Sequence, residues 1–233
     1  MGATIPLQNT VNWEKSFIEQ QPVLVNGMEP ALSSANLILQ TILGPPFAWP
    51  WNRAALSFAT VAQDFSAVGL TDFGFLEGGT AQAPGGATWE ISVKNVLQKE
   101  TNLARPTYCS ALIDDGLGNI TFRLSPKPNG SHTIDLLYQK KAVAMQSLAS
   151  LWGPIPDEKN YICQWGHLAL MSLIGNDARF GEYNTKFIVS LLGAQGGLTE
   201  MERNIFLANW TRVLSQLQAN QLGTAERFKA RES

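Results

Sequence analysis

The sequence predicts an α+β chain in which a helical bundle, built from the N- and C-terminal segments, carries an inserted antiparallel β-sheet region. Three observations predict it. Apolar residues recur at helical spacing near the start (Leu32, Ala35, Leu39, Ile42, Leu43) and again over the last third. Between them the period falls to two, with Trp89, Ile91 and Val93 alternating against Glu90, Ser92 and Lys94. Rigid aromatic-proline joints, "ILGPPFAWPWNRAAL" and "LWGPIPDE", mark the changes of period. The expected layout is an extended N-terminal arm over 1–28, a helical core from 29–48 and 146–222, a β region over 49–145 and a C-terminal tail over 223–233.

The arm mixes Trp13, Phe17 and Ile18 with Pro6 and Pro22, and no period lasts long enough to define an element. In "MEPALSSANLILQTIL", Pro30 suits a first helical turn. Gly44-Pro45-Pro46 then ends the helix, because neither proline donates a backbone N–H and each pushes its predecessor extended. In the middle, "TYCSALIDDGLGNITFRL" holds two alternating runs around Asp and Gly residues that tolerate positive φ, so a hairpin is expected. "HTIDLLYQKK" places Ile134, Leu136 and Tyr138 on one face, and the whole region is expected to form a meander. Asp157 can cap "EKNYICQWGHLALMSLIG", and "EYNTKFIVSLLGA" forms a further helix closed by the glycines of "GAQGG". Thr199 and Glu202 make a capping box at the head of "TEMERNIFLANWTRVLSQLQANQ".

Chemistry is harder to find. Hydrophobic residues form 45% of the chain and charged residues only 15%, a lean charge for a surface that stands alone in water. The net charge of −2 disfavours a general nucleic-acid binder. The start lacks the basic and apolar regions of a secretory signal, and no apolar run is long enough to span a membrane. Asn119, Asn129 and Asn209 match the glycosylation acceptor pattern, which without a signal reads as chance. Cys109 and Cys163 read as buried reduced thiols. Phosphate-cradling glycine loops and the G-x-S-x-G elbow do not occur. His167, amid "QWGHLALM", reads as a satisfied interior residue, and Asp114 with Asp115 as turn residues and not a calcium loop. Asp177, Arg179 and Glu182 read as capping and surface pairing. The expectation is a protein without catalytic residues, cofactor or metal.

What remains is surface. Trp165 and Trp210 fall in helical stripes and Trp89 on a strand face, so all three read as core. Trp49 and Trp51 flank Pro50 with Arg53 beside them; they either seal the junction between helix and sheet or anchor an interface, where Trp and Arg concentrate binding energy. Trp13 and Phe17 are further interface candidates on the arm.

The segments "EPALSSANLILQTILGPPFAWPWNR", "FRLSPKPNGSHTIDLLYQKK" and "WGPIPDEKNYICQWGHLALMSL" resemble those of head-to-tail connector (adaptor) proteins of tailed bacteriophages. The resemblance covers less than half the chain. It implies a homo-oligomeric, dodecameric ring in the virion, assembled in the host cytoplasm beneath the portal protein and above the tail proteins. Double-stranded DNA would pass through its lumen during genome ejection. It also implies that the tail reaches the portal, with Arg227, Phe228, Lys229 and Arg231 as the contacts. The large β region departs from the shorter adaptors and leaves its partner open. Two alternatives stand beside this one: another neck or tail ring protein, such as a tail tube or tail terminator, and a carbohydrate-binding virion module using Trp49, Trp51 and Trp89.

Overall fold

The computed structural model describes residues 3–18, 28–95 and 97–229, with side chains described as far as Ala219. The chain forms two compact units, residues 43–143 and residues 1–42 together with 144–233.

The first unit holds β1 (Arg53–Thr60), β2 (Asp64–Ala67), β3 (Phe73–Gln82), β4 (Thr88–Val93), β5 (Leu103–Ala104), β6 (Tyr108–Asp114), β7 (Ile120–Ser125), β8 (Lys127–Pro128) and β9 (His132–Lys140). Seven of these make one sheet in the order β1-β9-β3-β4-β6-β7-β2, while β5 and β8 form a small parallel pair of their own. The two end strands, β1 and β2, are consecutive in the chain and joined by Val61–Gln63, so the sheet curls until its ends approach and is nearly closed. Phe58 of β1 and Phe65 of β2 meet at that seam with ring centroids 3.8 Å apart. Inside, Phe73, Ile91, Phe122, Leu124, Ile134 and Leu136 belong to a single buried cluster. The alternation on β9 does what its sequence predicts: Ile134, Leu136 and Tyr138 are buried, and Asp135 and Leu137 are exposed.

The expected fold class is therefore corrected. The protein is a mixed α/β structure dominated by a large, nearly closed seven-stranded sheet with five helices, and not a helical bundle carrying an inserted sheet. The sheet is no meander either: β9 lies between β1 and β3, and β4 runs parallel to β6 through Ser92↔Tyr108 and Val93↔Cys109. Alternation fixes which face of a strand is apolar but says nothing of which strand lies beside it. Because this sheet bends round to bury its inner face against itself, it needs no bundle to cover that face.

The second unit holds α1 (Leu7–Glu14), α2 (Ala31–Leu43), α3 (Asn160–Ile174), α4 (Phe180–Ala194) and α5 (Glu200–Lys229). At its centre is α3, buried continuously from Gly166 to Leu173. A side-chain carbon at Gly166 would lie 2.8 Å from Ile38 of α2 and from Phe187 of α4, so this glycine lets the helices approach closely. The segment expected to be an arm without an element contains α1 and lies against its own unit. Its Leu7 and Gln8 N–H groups donate to the Ser150 and Leu148 carbonyls at 3.0 and 2.8 Å. Asn176, at φ 53°, turns the chain from α3 toward α4.

Curling the sheet places Gly79 of β3 so close to β9 that a Cβ there would sit 2.4 Å from the Asp135 carbonyl oxygen, beside a bulge at Leu76/Gly78. Gly79→Ala is expected to cost about 2–4 kcal/mol, since backbone and not a mobile side chain must give way. Chemical denaturation of the two proteins checks this, with Gly85→Ala, at a position open to solvent, as the neutral control.

Candidate functional site

The proline joint after α2 is the most distinctive local structure. Pro45–Pro46 is a cis peptide, and the Phe47 N–H donates to the Gly44 carbonyl at 3.1 Å. Phe47, Trp49 and Trp51 then stack in sequence, with centroids 6.2 and 5.2 Å apart and planes inclined by 20° and 26°. Trp49 is 2% exposed. Its carbonyl accepts from Gln139 Nε2 at 3.0 Å and from the Asn52 N–H at 3.0 Å, and Asn52 Nδ2 donates to the Lys140 carbonyl at 2.8 Å. Trp51, next in the stack, is half-buried. Arg53 is exposed and pairs with Glu77 at 2.6 Å, and Gln139 Nε2 donates to the other oxygen of the same carboxylate. Of the three candidates here, Trp49 is enclosed, while Trp51 and Arg53 reach the surface.

Trp13 and Phe17 stand elsewhere, in the helical unit. Their rings lie 4.6 Å apart, and both meet Trp165 of α3, at 5.2 and 5.9 Å. Phe17 also meets Tyr183 of α4 at 6.3 Å, and Lys186 stands 4.6 Å over the Trp165 ring. The Phe17 carbonyl accepts from the Arg179 guanidinium and from the Tyr183 hydroxyl. Thr4 binds both Asp157 oxygens, at 2.9 and 2.6 Å, and these bonds hold the Asp157 carboxyl below its usual range. Trp13 and Phe17 are each half-buried in this cluster.

The C-terminal candidates belong to α5. Thr199 and Glu202 form the expected capping box, with the Thr199 N–H on Glu202 at 2.8 Å and the Glu202 N–H on Thr199 Oγ1 at 3.3 Å. Phe206, Trp210 and Leu214 bury one stripe of the helix. Trp210 lies 5.1 Å from the Phe187 ring, and its Nε1 donates to Asn184 at 2.8 Å. Met201 and Ile205, one turn apart on another stripe, are 72% and 52% exposed, and Val189 of α4 is exposed as well. The helix continues through Arg227, Phe228 and Lys229, which occupy its last turn; Arg231 lies outside the described residues.

Several ionisable groups are engaged in structure. Asp115 accepts from the Leu117 and Asn119 N–H groups and from Asn119 Nδ2, which lowers its pKa and makes it the turn residue its sequence predicts. Burial pushes the Cys109 thiol up to about 12 and the Cys163 thiol further still, so both stay neutral. Among the described residues no cluster of three or more His, Cys, Asp or Glu is placed to hold a metal. No described helix is long and apolar enough to cross a membrane. One groove, of about 380 Å³, opens on the outer face of β3, β4 and β9, lined by Glu77, Gly78, Gly79, Thr80, Glu90, Asp135 and Leu137. It carries carboxylates but none of the tryptophans that a sugar platform would use.

Sequence reasoning missed one pair. His167 Nδ1 lies 2.6 Å from Glu14 Oε1, with both side chains fully buried. Leu7, Thr10, Val11 and Glu14 are the buried residues of α1, at the helical spacing, but two of the four are polar and mask the stripe. No family model matches this chain, and no curated protein matches it.

The stack predicts a graded response. Trp49→Ala is expected to cost about 3–5 kcal/mol and Trp51→Ala about 1–2 kcal/mol, because only the first opens a closed space. Denaturant midpoints of the two variants against the parent decide it, with equal losses counting against this division.

Proposed function

We propose that the protein is a structural virion component, a head-to-tail connector subunit that forms a homo-oligomeric ring beneath a portal and encloses the path of double-stranded DNA. The observation that carries this reading is the apolar stripe of Met201 and Ile205 on α5, left in water together with Val189 on α4. Side chains of this kind on adjacent turns gain about 1.5–3 kcal/mol each when covered, and a neighbouring copy in a ring supplies the cover. The low charge content lends support, since a surface shared with two neighbours needs little charge to stay dispersed. So does the length of α5, whose 30 residues extend about 45 Å. Its basic-aromatic last turn, Arg227, Phe228 and Lys229, is the part we assign to a portal or tail partner.

A second reading, a tail-side ring or tube protein, is favoured by the large, nearly closed seven-stranded sheet that dominates the fold. The two readings share the ring and differ in what α5 meets.

Glutamate at both Met201 and Ile205 is expected to reduce the assembled mass to that of the monomer while leaving the circular dichroism unchanged. Light scattering of the purified chain measures the first, and incubation with portal particles or tail tubes separates the two readings. A parent protein that stays strictly monomeric and binds neither particle overturns both.

A further inference from the structure

We propose that Glu14 and His167 form a proton-operated clamp joining α1, α2 and α3, closed while both ring nitrogens of His167 face a proton and open once one proton is lost. The geometry carries this. His167 Nδ1 stands 2.6 Å from Glu14 Oε1 on α1, and Nε2 stands 2.8 Å from the Ala31 carbonyl at the first turn of α2. A carbonyl oxygen and a carboxylate only accept, whereas a neutral imidazole offers one N–H and one lone pair. The observed contacts therefore need two protons: one between Nδ1 and Glu14, and one on Nε2. Removing either sets two lone pairs against each other at hydrogen-bond distance. Both side chains are fully buried, so water cannot take over the lost bond.

The surroundings leave the pair to itself. From α1 the imidazole meets the Glu14 carboxylate; from α2 it meets a backbone carbonyl and no ionisable side chain. From the stretch before α3 it meets the edge of the Trp152 indole, with centroids 6.1 Å apart. On α3 itself, Cys163 one turn earlier is a neutral thiol, held so by burial. Among the described residues Glu14 is the one charged group against the ring. Among the described residues Glu14 Oε2, which is buried, has no hydrogen-bond partner, so the imidazolium is the group there that compensates this carboxylate.

Burial opposes the charged imidazole, but the Glu14 charge and the bonds from Glu14 and Ala31 outweigh it, and the His167 pKa is raised. A folded value above the unfolded one gives a definite sign. The stability contributed by the pair is complete below the ordinary imidazole range and is lost as pH rises through the folded value. The first turn of α2, which presents Ala31, is the part released.

The chain has only two histidines, so a His132→Asn background leaves His167 as the sole imidazole signal. The experiment follows its ring resonance by NMR from about pH 5 to about pH 10, across the ordinary imidazole value of about 6.5. Hydrogen exchange of residues 31–35 is measured at each pH and corrected for the intrinsic rate. The clamp predicts titration above the ordinary range and at least a tenfold loss of protection through the same midpoint. In Glu14→Gln both midpoints move down together, and in His167→Gln the protection no longer depends on pH. A ring that titrates within or below the ordinary range, or protection that passes unchanged through the midpoint, overturns the clamp. If Glu14→Gln does not fold, the parent titration alone decides. The clamp is independent of whether the protein forms a ring.

Discussion

A sheet that is apolar on one face has to hide that face, and here it does so against itself. The inner side chains of β3, β4, β6, β7 and β9 form one buried cluster because the sheet bends until β1 and β2 stand side by side. That curvature sets many of the local details. It brings β3 against β9 so tightly that Gly79 has no room for a side chain, and it introduces the bulges at Phe73/Phe75 and Leu76/Gly78. It also requires β4 to leave β3 and join β6 in a short parallel pair that links the two halves of the sheet. The outer face carries small and polar residues, Ala55, Ser57, Ala59 and Thr80, together with Leu137 and the carboxylates of the groove.

The helical unit solves its packing in another way. α3 is apolar almost all round and needs neighbours on every side: α4 through Phe187, α2 through Ile38, and α1 through the Glu14 contact. The N-terminal segment is thus part of the unit's own core, fixed at Thr4, Leu7, Gln8, Thr10, Glu14 and Phe17. Much of the aromatic surface the sequence leaves unassigned is consumed inside this unit or within the stack of Phe47, Trp49 and Trp51. On α4 and α5, Val189, Met201 and Ile205 remain exposed.

Legibility followed distance along the chain. The hairpin at Asp114–Asn119, the capping box at Thr199 and the alternation of β9 are local, and each could be read from a few neighbouring residues. Strand order was not legible, because period two specifies a face and leaves the neighbour open. Nor was α1, whose buried stripe includes Thr10 and Glu14 and so defeats a count of apolar residues. The interior place of His167 was legible from its apolar helix, but its partner lies 153 residues away and no local pattern names it. For Trp49 the sequence left two outcomes open, and one of its neighbours, Gln139, comes from β9, far along the chain.

The way the two units share the chain has a consequence for biosynthesis. Residues 43–143 form one uninterrupted stretch, whereas the other unit is made from both flanks of it. On the ribosome the sheet can complete itself while the amino-terminal flank still waits for α3 to be translated. During that interval Leu7, Val11 and Ile38, all buried in the finished molecule, have no native partner from α3. The growing chain therefore passes through a stage in which its earliest helices are its least protected, and shielding by a nascent-chain chaperone would matter most then.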